Sequence, residues 1–212
     1  MLCTQLISHI WHVYSAIATC EFTFSPQSVC AFSSGKGTQC DNIISRYEGV
    51  QHFSAGDLLR DAVKNGNTEL EAIMKEGKLV PMEVTIKLLK DAMIASGSSV
   101  FLIDGFPRAW DQAECFESSI QPCTAVLFFD CSEEVMRQRL LKRGETSGRA
   151  DDNEETIVKR FHTFVEQSKP VVDEYKTQGK CFEVSAEQTP DEVFEGVQKA
   201  LDGILTVAVA EE

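Results

Sequence analysis

A three-layer α/β fold, a central parallel sheet with helices on both faces, is predicted by three observations in the chain. Short continuous apolar runs alternate with longer amphipathic stretches, the runs are bounded by polar residues, and chemically versatile residues stand just after them. Val100-Phe101-Leu102-Ile103 and Ala125-Val126-Leu127-Phe128-Phe129 read as strands buried on both faces, because no polar residue interrupts them. Cys181-Phe182-Glu183-Val184 is a third candidate and Gln51-His52-Phe53 a short fourth.

The intervening stretches read as helices. They run from Gln39 to Tyr47, Thr85 to Ile94, Glu133 to Arg143, Glu154 to Gln167 and Asp191 to Leu205. The last is announced by Thr189-Pro190-Asp191-Glu192, in which a hydroxyl can cap the first turn, proline fits its fixed φ and early acids complement the helix dipole. No internal repeat is present, and the residues after Leu205 form a short tail.

The first strand is the least clear element. An open parallel sheet needs a buried strand ahead of Gly35, yet Phe24-Ser25-Pro26-Gln27-Ser28-Val29-Cys30 holds a proline that cannot donate in a central ladder. Phe22-Thr23-Phe24 is the predicted substitute, displaced upstream, which would leave an abnormally long loop before the first helix.

That loop carries the first chemical motif. Gly35-Lys36-Gly37-Thr38 is the downstream half of a phosphate-binding pattern, a glycine, four residues, then Gly-Lys and a hydroxyl residue. In that pattern backbone N–H groups wrap a polyphosphate while the lysine reaches its outer phosphates. The upstream half is missing. Cys30 stands at the first glycine position, and Ala31, Phe32, Ser33 and Ser34 supply no glycine either, so nothing there reaches φ > 0 cheaply.

Composition narrows the possible functions. The chain has 212 residues, 43% of them hydrophobic, enough for one full core, and its net charge of −13 disfavours broad binding to nucleic acid or an anionic membrane. A phosphate site in such a molecule must be built locally. The eight cysteines include no Cys-x-x-Cys pair and no zinc-spaced cluster, so they read as reduced thiols of a cytoplasmic protein, with the nucleus as a second compartment. Residues 1 to 33 contain no lysine or arginine, and polar residues including His9 and His12 interrupt the opening stretch, against a secretory signal or a membrane span. The organisation expected is a divergent N-terminal segment over 1–33, one domain over 34–205 and a tail over 206–212.

Three further clusters carry chemistry. Ile103-Asp104-Gly105-Phe106-Pro107-Arg108 sits where a strand ends, the edge at which open α/β sheets bind ligands. There Asp104 could organise magnesium-bound water, Gly105 allows close approach, and Arg108 can grip phosphate with a bidentate fork. A turn with a structurally paired aspartate is the competing account. Phe53-Ser54-Ala55-Gly56-Asp57-Leu58-Leu59-Arg60 is a strand end, a small-residue turn and a helix start, with Arg60 one turn in, either functional or simply solvated. The third cluster places Arg139, Arg143, Arg149 and Arg160 around Gly144 and Gly148, as a mobile lid carrying cations would require. Glu145, Asp151, Asp152, Glu154 and Glu155 could instead neutralise those arginines in helix-face ion pairs.

Taken together, these motifs resemble those of the nucleoside monophosphate kinases, over roughly Ser34 to Leu205. The matching segments, in order, are Gly-Lys-Gly-Thr-Gln at 35–39, Ser-Ala-Gly-Asp-Leu-Leu-Arg at 54–60, Glu-Gly-Lys-Leu-Val-Pro at 76–81, Ile-Asp-Gly-Phe-Pro-Arg at 103–108 and Arg-Gly-Glu-Thr-Ser-Gly-Arg-Ala-Asp-Asp-Asn at 143–153. The resemblance implies a P-loop NTPase fold with a helical monophosphate-binding insertion at about 54–83 and a short lid at about 143–152, without the cysteines of long-lid relatives. It implies phosphoryl transfer from Mg-ATP to a nucleoside monophosphate, a reaction in which the protein contributes positioning and electrostatics.

On the matching positions, the resemblance assigns ATP to Gly35, Lys36, Gly37, Thr38, Arg139 and Ala186, with Lys36 on the β- and γ-phosphates and Thr38 beside magnesium. It assigns the monophosphate to Ser54, Ala55, Arg60, Val80, Gly105, Arg108 and Gln112, and the transferring group to Arg143, Arg149 and Arg160. Arg149 and Arg160 would also reach the monophosphate, and Asp151 and Asp152 would couple lid closure to the arginines. Magnesium would come with ATP, held through water with no direct protein ligand, and a monomer is implied.

The acceptor is divided by the residues. Ala55, the 76–90 segment and Phe-Phe-Asp-Cys at 128–131 look like the UMP/CMP kinases, whereas Gln112 and the lid wording look like the adenylate kinases. UMP and CMP are the expected acceptors and AMP the alternative. A catalytically impaired nucleotide-binding protein is the second functional reading, because the loop glycines are missing.

Overall fold

The computed structural model describes residues 27–33, 35–76, 78–147 and 153–210. Five strands form one parallel sheet in the order β2-β3-β1-β4-β5, with β1 Gln27–Ser33, β2 Val50–Ser54, β3 Val100–Asp104, β4 Ala125–Asp130 and β5 Cys181–Ser185. The helices are α1 Lys36–Arg46, α2 Ala55–Lys64, α3 Thr68–Lys75, α4 Met82–Ser96, α5 Trp110–Ser119, α6 Glu133–Ser147, α7 Glu154–Thr163, α8 Lys169–Thr177 and α9 Pro190–Ala210. The expected strands at 51–53, 100–103, 125–129 and 181–184 are all present, each longer by a residue or two.

Alternation along the inner strands builds two cores. Phe101, Ile103, Val126 and Phe128 face one side, where they join Ile86, Leu89 and Met93 of α4, Phe116 of α5 and Val171, Val172 and Tyr175 of α8. Leu102, Ala125, Leu127 and Phe129 face the other and meet Cys40 and Ile43 of α1 and Val193, Val197 and Leu201 of α9. Both faces of a parallel sheet are thus covered, which is why these runs carry no polar residue. Leu59, Leu70 and Val80 form a separate small cluster inside the insertion.

The first strand differs from expectation. Phe22-Thr23-Phe24 lies outside the described residues, and the central strand is Gln27–Ser33, immediately after Pro26. Its residues pair with both neighbours, Cys30 opposite Ile103 and Val126, and Ala31 opposite Asp104 and Leu127, while Ser33 sits opposite Phe129. Proline one residue ahead of the strand removes no ladder donor, so the objection to a strand here falls away. The segment expected to be a divergent N-terminus over 1–33 therefore contributes its last seven residues to the middle of the sheet. The long loop is absent as well, because only residues 34 and 35 separate β1 from α1.

Two helical expectations are also corrected. The helix expected over 154–167 is α7, a π-helical turn at Phe164–Ser168 in which the Lys169 N–H bonds to the Phe164 carbonyl, and then α8. Pro170 has no N–H for an i−4 carbonyl, and its ring would crowd that carbonyl in a regular helix, so the wider turn accommodates it. The helix from Glu133 continues to Ser147, through Gly144 and into the region expected to be lid. The tail expected over 206–212 is helical as far as Ala210, where α9 ends.

Gly196 marks the tightest approach of α9 to the sheet. A Cβ there would stand 2.9 Å from Val184 Cγ1, and Val184 is itself buried. Gly196→Ala is expected to cost about 1–3 kcal/mol by overpacking, read as a lowered urea midpoint with an unchanged slope.

Candidate active site

The carboxyl ends of β3 and β4 and the start of α1 open into one large cleft, where the connection from β1 runs to β2 on one side of the sheet and that from β4 to β5 on the other, the ligand-binding crevice of open α/β folds. Gly35 forms its floor with φ 81° and ψ −1°, a left-handed conformation that suits glycine, and caps α1. Lys36, Gly37 and Thr38, the first turn of α1, line the cleft beside it. A helix start leaves its first N–H groups without intrahelical acceptors, so this wall favours an anion.

Lys36 Nζ lies 3.7 Å from Asp104 Oδ1 at the end of β3. Burial lowers the Lys36 pKa below its ordinary 10.5, Asp104 opposes that shift, and the cations Arg108 and Arg160 reinforce it. Asp104 Oδ1 is buried and, among the described residues, accepts no hydrogen bond. A lysine pushed toward neutrality by its surroundings is one that an incoming phosphate would stabilise.

The opposite wall comes from α6 and the start of α9. Arg139 Nη1 donates to the Ala186 carbonyl at 2.6 Å, and the Ala186 N–H donates to the Asp130 carbonyl at 2.7 Å, fixing the turn after β5 against β4. Arg143 lies one turn further along α6 and also lines the cleft. Ser54 caps α2 by accepting the Asp57 N–H at 3.2 Å.

A smaller side pocket opens from the cleft, lined by Ala55, Leu59, Val80, Thr85 and Gln112 among others. Gly56, Arg60, Gly105, Arg108 and Arg160 line both spaces, so three guanidinium groups stand at the mouth between them. Arg60 is oriented by Asp57, whose Oδ1 accepts its Nε–H at 3.1 Å. Gly105 has φ 74°, and a Cβ on it would stand 3.3 Å from Arg108 Nη2. Arg108 is held three ways: its Nε–H donates to the Gly105 carbonyl at 2.8 Å, its N–H donates to Gln112 Oε1 at 2.9 Å, and its carbonyl accepts the Ser168 hydroxyl at 2.8 Å. Three cations around one opening, two of them held by hydrogen bonds, can hold two anionic groups in line while suppressing their mutual repulsion.

This arrangement is shared with known proteins. A family model described as adenylate kinase matches residues 29–180. The chain belongs to the adenylate kinase family of nucleoside monophosphate kinases. Among similar proteins, this family member is 53% identical over 175 residues to adenylate kinase isoenzyme 1 of Caenorhabditis elegans, covering 80% of this chain and 83% of that one. It is also 53% identical over 169 residues to UMP-CMP kinase 3 of Oryza sativa subsp. japonica, covering 78% and 79%. Uridylate kinase of Schizosaccharomyces pombe is 49% identical over 179 residues, covering 81% and 93%.

Of the residues singled out by sequence, the structure of this kinase brings Gly35, Lys36, Gly37, Thr38, Ser54, Asp104, Arg139, Arg143 and Ala186 to the cleft. Ala55, Val80 and Gln112 line the side pocket, and Arg60, Gly105, Arg108 and Arg160 the opening between the two. Arg149, Asp151 and Asp152 lie outside the described residues.

Sequence reasoning missed Thr85, Ser168 and His52. Thr85 read only as a helix start, Ser168 lies 60 residues from the Arg108 carbonyl it bonds, and His52, whose Nε2 is buried without a hydrogen-bond partner at the cleft, read as part of a strand. A hydroxyl between the apolar Val84 and Ile86, and an imidazole within a strand, are the faint signals that could have found two of them.

Proposed function

We propose that this chain transfers the γ-phosphoryl group of ATP to UMP or CMP, giving ADP and the pyrimidine nucleoside diphosphate. The observation that carries this reading is the placing of Arg60, Arg108 and Arg160 at the junction of a phosphate-suited cleft and a side pocket lined by both apolar and polar side chains. ATP would lie with its phosphates on Gly35, Lys36, Gly37 and Thr38 and its adenine end toward Arg139 and Ala186. The monophosphate would enter the side pocket, its phosphate on Arg60 and Arg108 and its base among Ala55, Val80 and Gln112, with Ser54 holding the start of α2. An oxygen of the acceptor phosphate attacks the γ-phosphorus, the bond from γ-phosphorus to the bridging oxygen breaks, and ADP leaves with that oxygen. Arg143 and Arg160 would neutralise charge on the transferring group, and Lys36 would neutralise the leaving oxygens. Arg149, Asp151 and Asp152 would complete the lid.

Magnesium would arrive with ATP, held through water; among the described residues no group of three or more His, Cys, Asp or Glu able to hold a metal ion is present. Asp104 Oδ1, which accepts no hydrogen bond among the described residues and lines the same cleft as Thr38, suits magnesium-bound water. Bound there, magnesium would neutralise charge on the β- and γ-phosphates. A cytoplasmic and nuclear monomer is part of the same proposal. The thiols of Cys40, Cys115 and Cys181, which form no disulfide, suit a reducing compartment.

AMP is the competing acceptor, favoured by Gln112 at the side pocket. A coupled assay of ADP formation with UMP, CMP and AMP decides between them: higher kcat/KM for UMP and CMP supports the proposal, and a preference for AMP overturns the pyrimidine assignment.

The lowered Lys36 pKa gives a pH dependence of known sign. A lysine whose pKa lies below 10.5 loses its proton as pH rises through the lowered value, so its hold on phosphate fails earlier than an ordinary lysine's would. kcat/KM for ATP, which reports the free enzyme, is expected to fall on the alkaline side below pH 10.5. In Lys36→Arg that limb disappears, because guanidinium does not titrate there.

A further inference from the structure

Thr85 and Gln112 are the buried polar side chains of the side pocket, each 6% exposed, and neither lines the main cleft. The Gln112 amide is fixed in direction. Its Oε1 accepts the Arg108 N–H at 2.9 Å, which leaves Nε2 with two hydrogens and no acceptor capacity. Among the described residues the Thr85 hydroxyl has no hydrogen-bond partner, although the residue is nine-tenths buried in a pocket whose lining includes Leu59, Val80 and Met74. Thr85 stands in the first turn of α4, where its β-branched side chain is held to few rotamers and its hydroxyl hydrogen can turn to suit a partner.

That combination suits one kind of ligand. Uracil presents an exocyclic oxygen where cytosine presents an amino group, so a residue serving both must donate to one and accept from the other. A fixed amide cannot do this, and a hydroxyl can. We propose that Thr85 determines acceptor specificity, its hydroxyl donating to the exocyclic oxygen of uracil and accepting from the exocyclic amine of cytosine. The inference rests on the pyrimidine reading of the side pocket.

Calorimetric titration with UMP, CMP and AMP in the absence of ATP tests it independently of turnover. Thr85→Val keeps the shape and removes the hydroxyl, and is expected to weaken both UMP and CMP about tenfold. Thr85→Ser keeps the hydroxyl and is expected to stay within about threefold of the unsubstituted protein. Thr85→Ala gives a second chain without the hydroxyl should the valine variant fold poorly, and must show the same loss. Unchanged binding in the valine and alanine variants, or an equal loss in the serine variant, overturns the role of the hydroxyl. If the unsubstituted protein prefers AMP, the pyrimidine reading and the proposed selection between exocyclic groups fail together.

Discussion

Replacing Cys30, Ala31 and Ser33 together by glycine raises kcat/KM for ATP by at least about 100-fold, the scale on which preorganised backbone donors act on a developing negative charge. Residues 30–33 are strand, paired across the middle of the sheet with β3 and β4, so their amides serve the ladder. Only residues 34 and 35 remain between that strand and α1, too few to wrap a triphosphate. Leaving the ladder would require left-handed conformations at non-glycine positions, about 1–2 kcal/mol each. Glycine removes that penalty and weakens the competing strand by about 0.5–1 kcal/mol per residue. Titration of ATP at saturating UMP measures the gain, and a urea melt measures the loss of stability. An unchanged kcat/KM would show that the loop does not limit the reaction.

Arg108→Ala is expected to lower kcat/KM for the acceptor by about 10²–10⁴, because a bidentate pair of charge-assisted hydrogen bonds is lost, each worth about 1.5–3 kcal/mol. Arg108→Lys restores the charge without the fork and recovers about tenfold at most. Thermal melts separate this from misfolding. The side chain bonds the Gly105 carbonyl, but the backbone bonds to Gln112 and Ser168 survive the substitution. Activity within threefold of the unsubstituted chain would remove Arg108 from the acceptor site.

How much of this was legible in the sequence depends on how local each signal is. The strands at Val100 and Ala125 are apolar throughout because both faces are buried, and that pattern needs no knowledge of neighbours. Gly105 and Arg108 follow directly on β3, so the crevice at the strand end was readable from order alone. Strand β1 was missed although Val29-Cys30-Ala31-Phe32 is an apolar run, because Pro26 stands just ahead of it and residues 30–34 fall where the phosphate-binding pattern expects its loop. Its place comes from pairing with strands about 70 and 100 residues away. The π turn escaped because a single widened turn leaves the 3.6-residue pattern on either side intact. Ser168 and Thr85 acquire their roles only through packing, the one under Arg108 and the other in the side pocket.

The central claim is that three arginines at one opening join a donor cleft to an acceptor pocket. Incubation with ATP labelled at the γ-phosphate and each of UMP, CMP and AMP, followed by separation of the nucleotides, tests it most directly. The account predicts slow transfer of label to the pyrimidine diphosphates, abolished by Arg108→Ala and accelerated by the three glycines. Label appearing in no nucleoside diphosphate with either the unsubstituted or the glycine-bearing chain, or only as free phosphate, would contradict it.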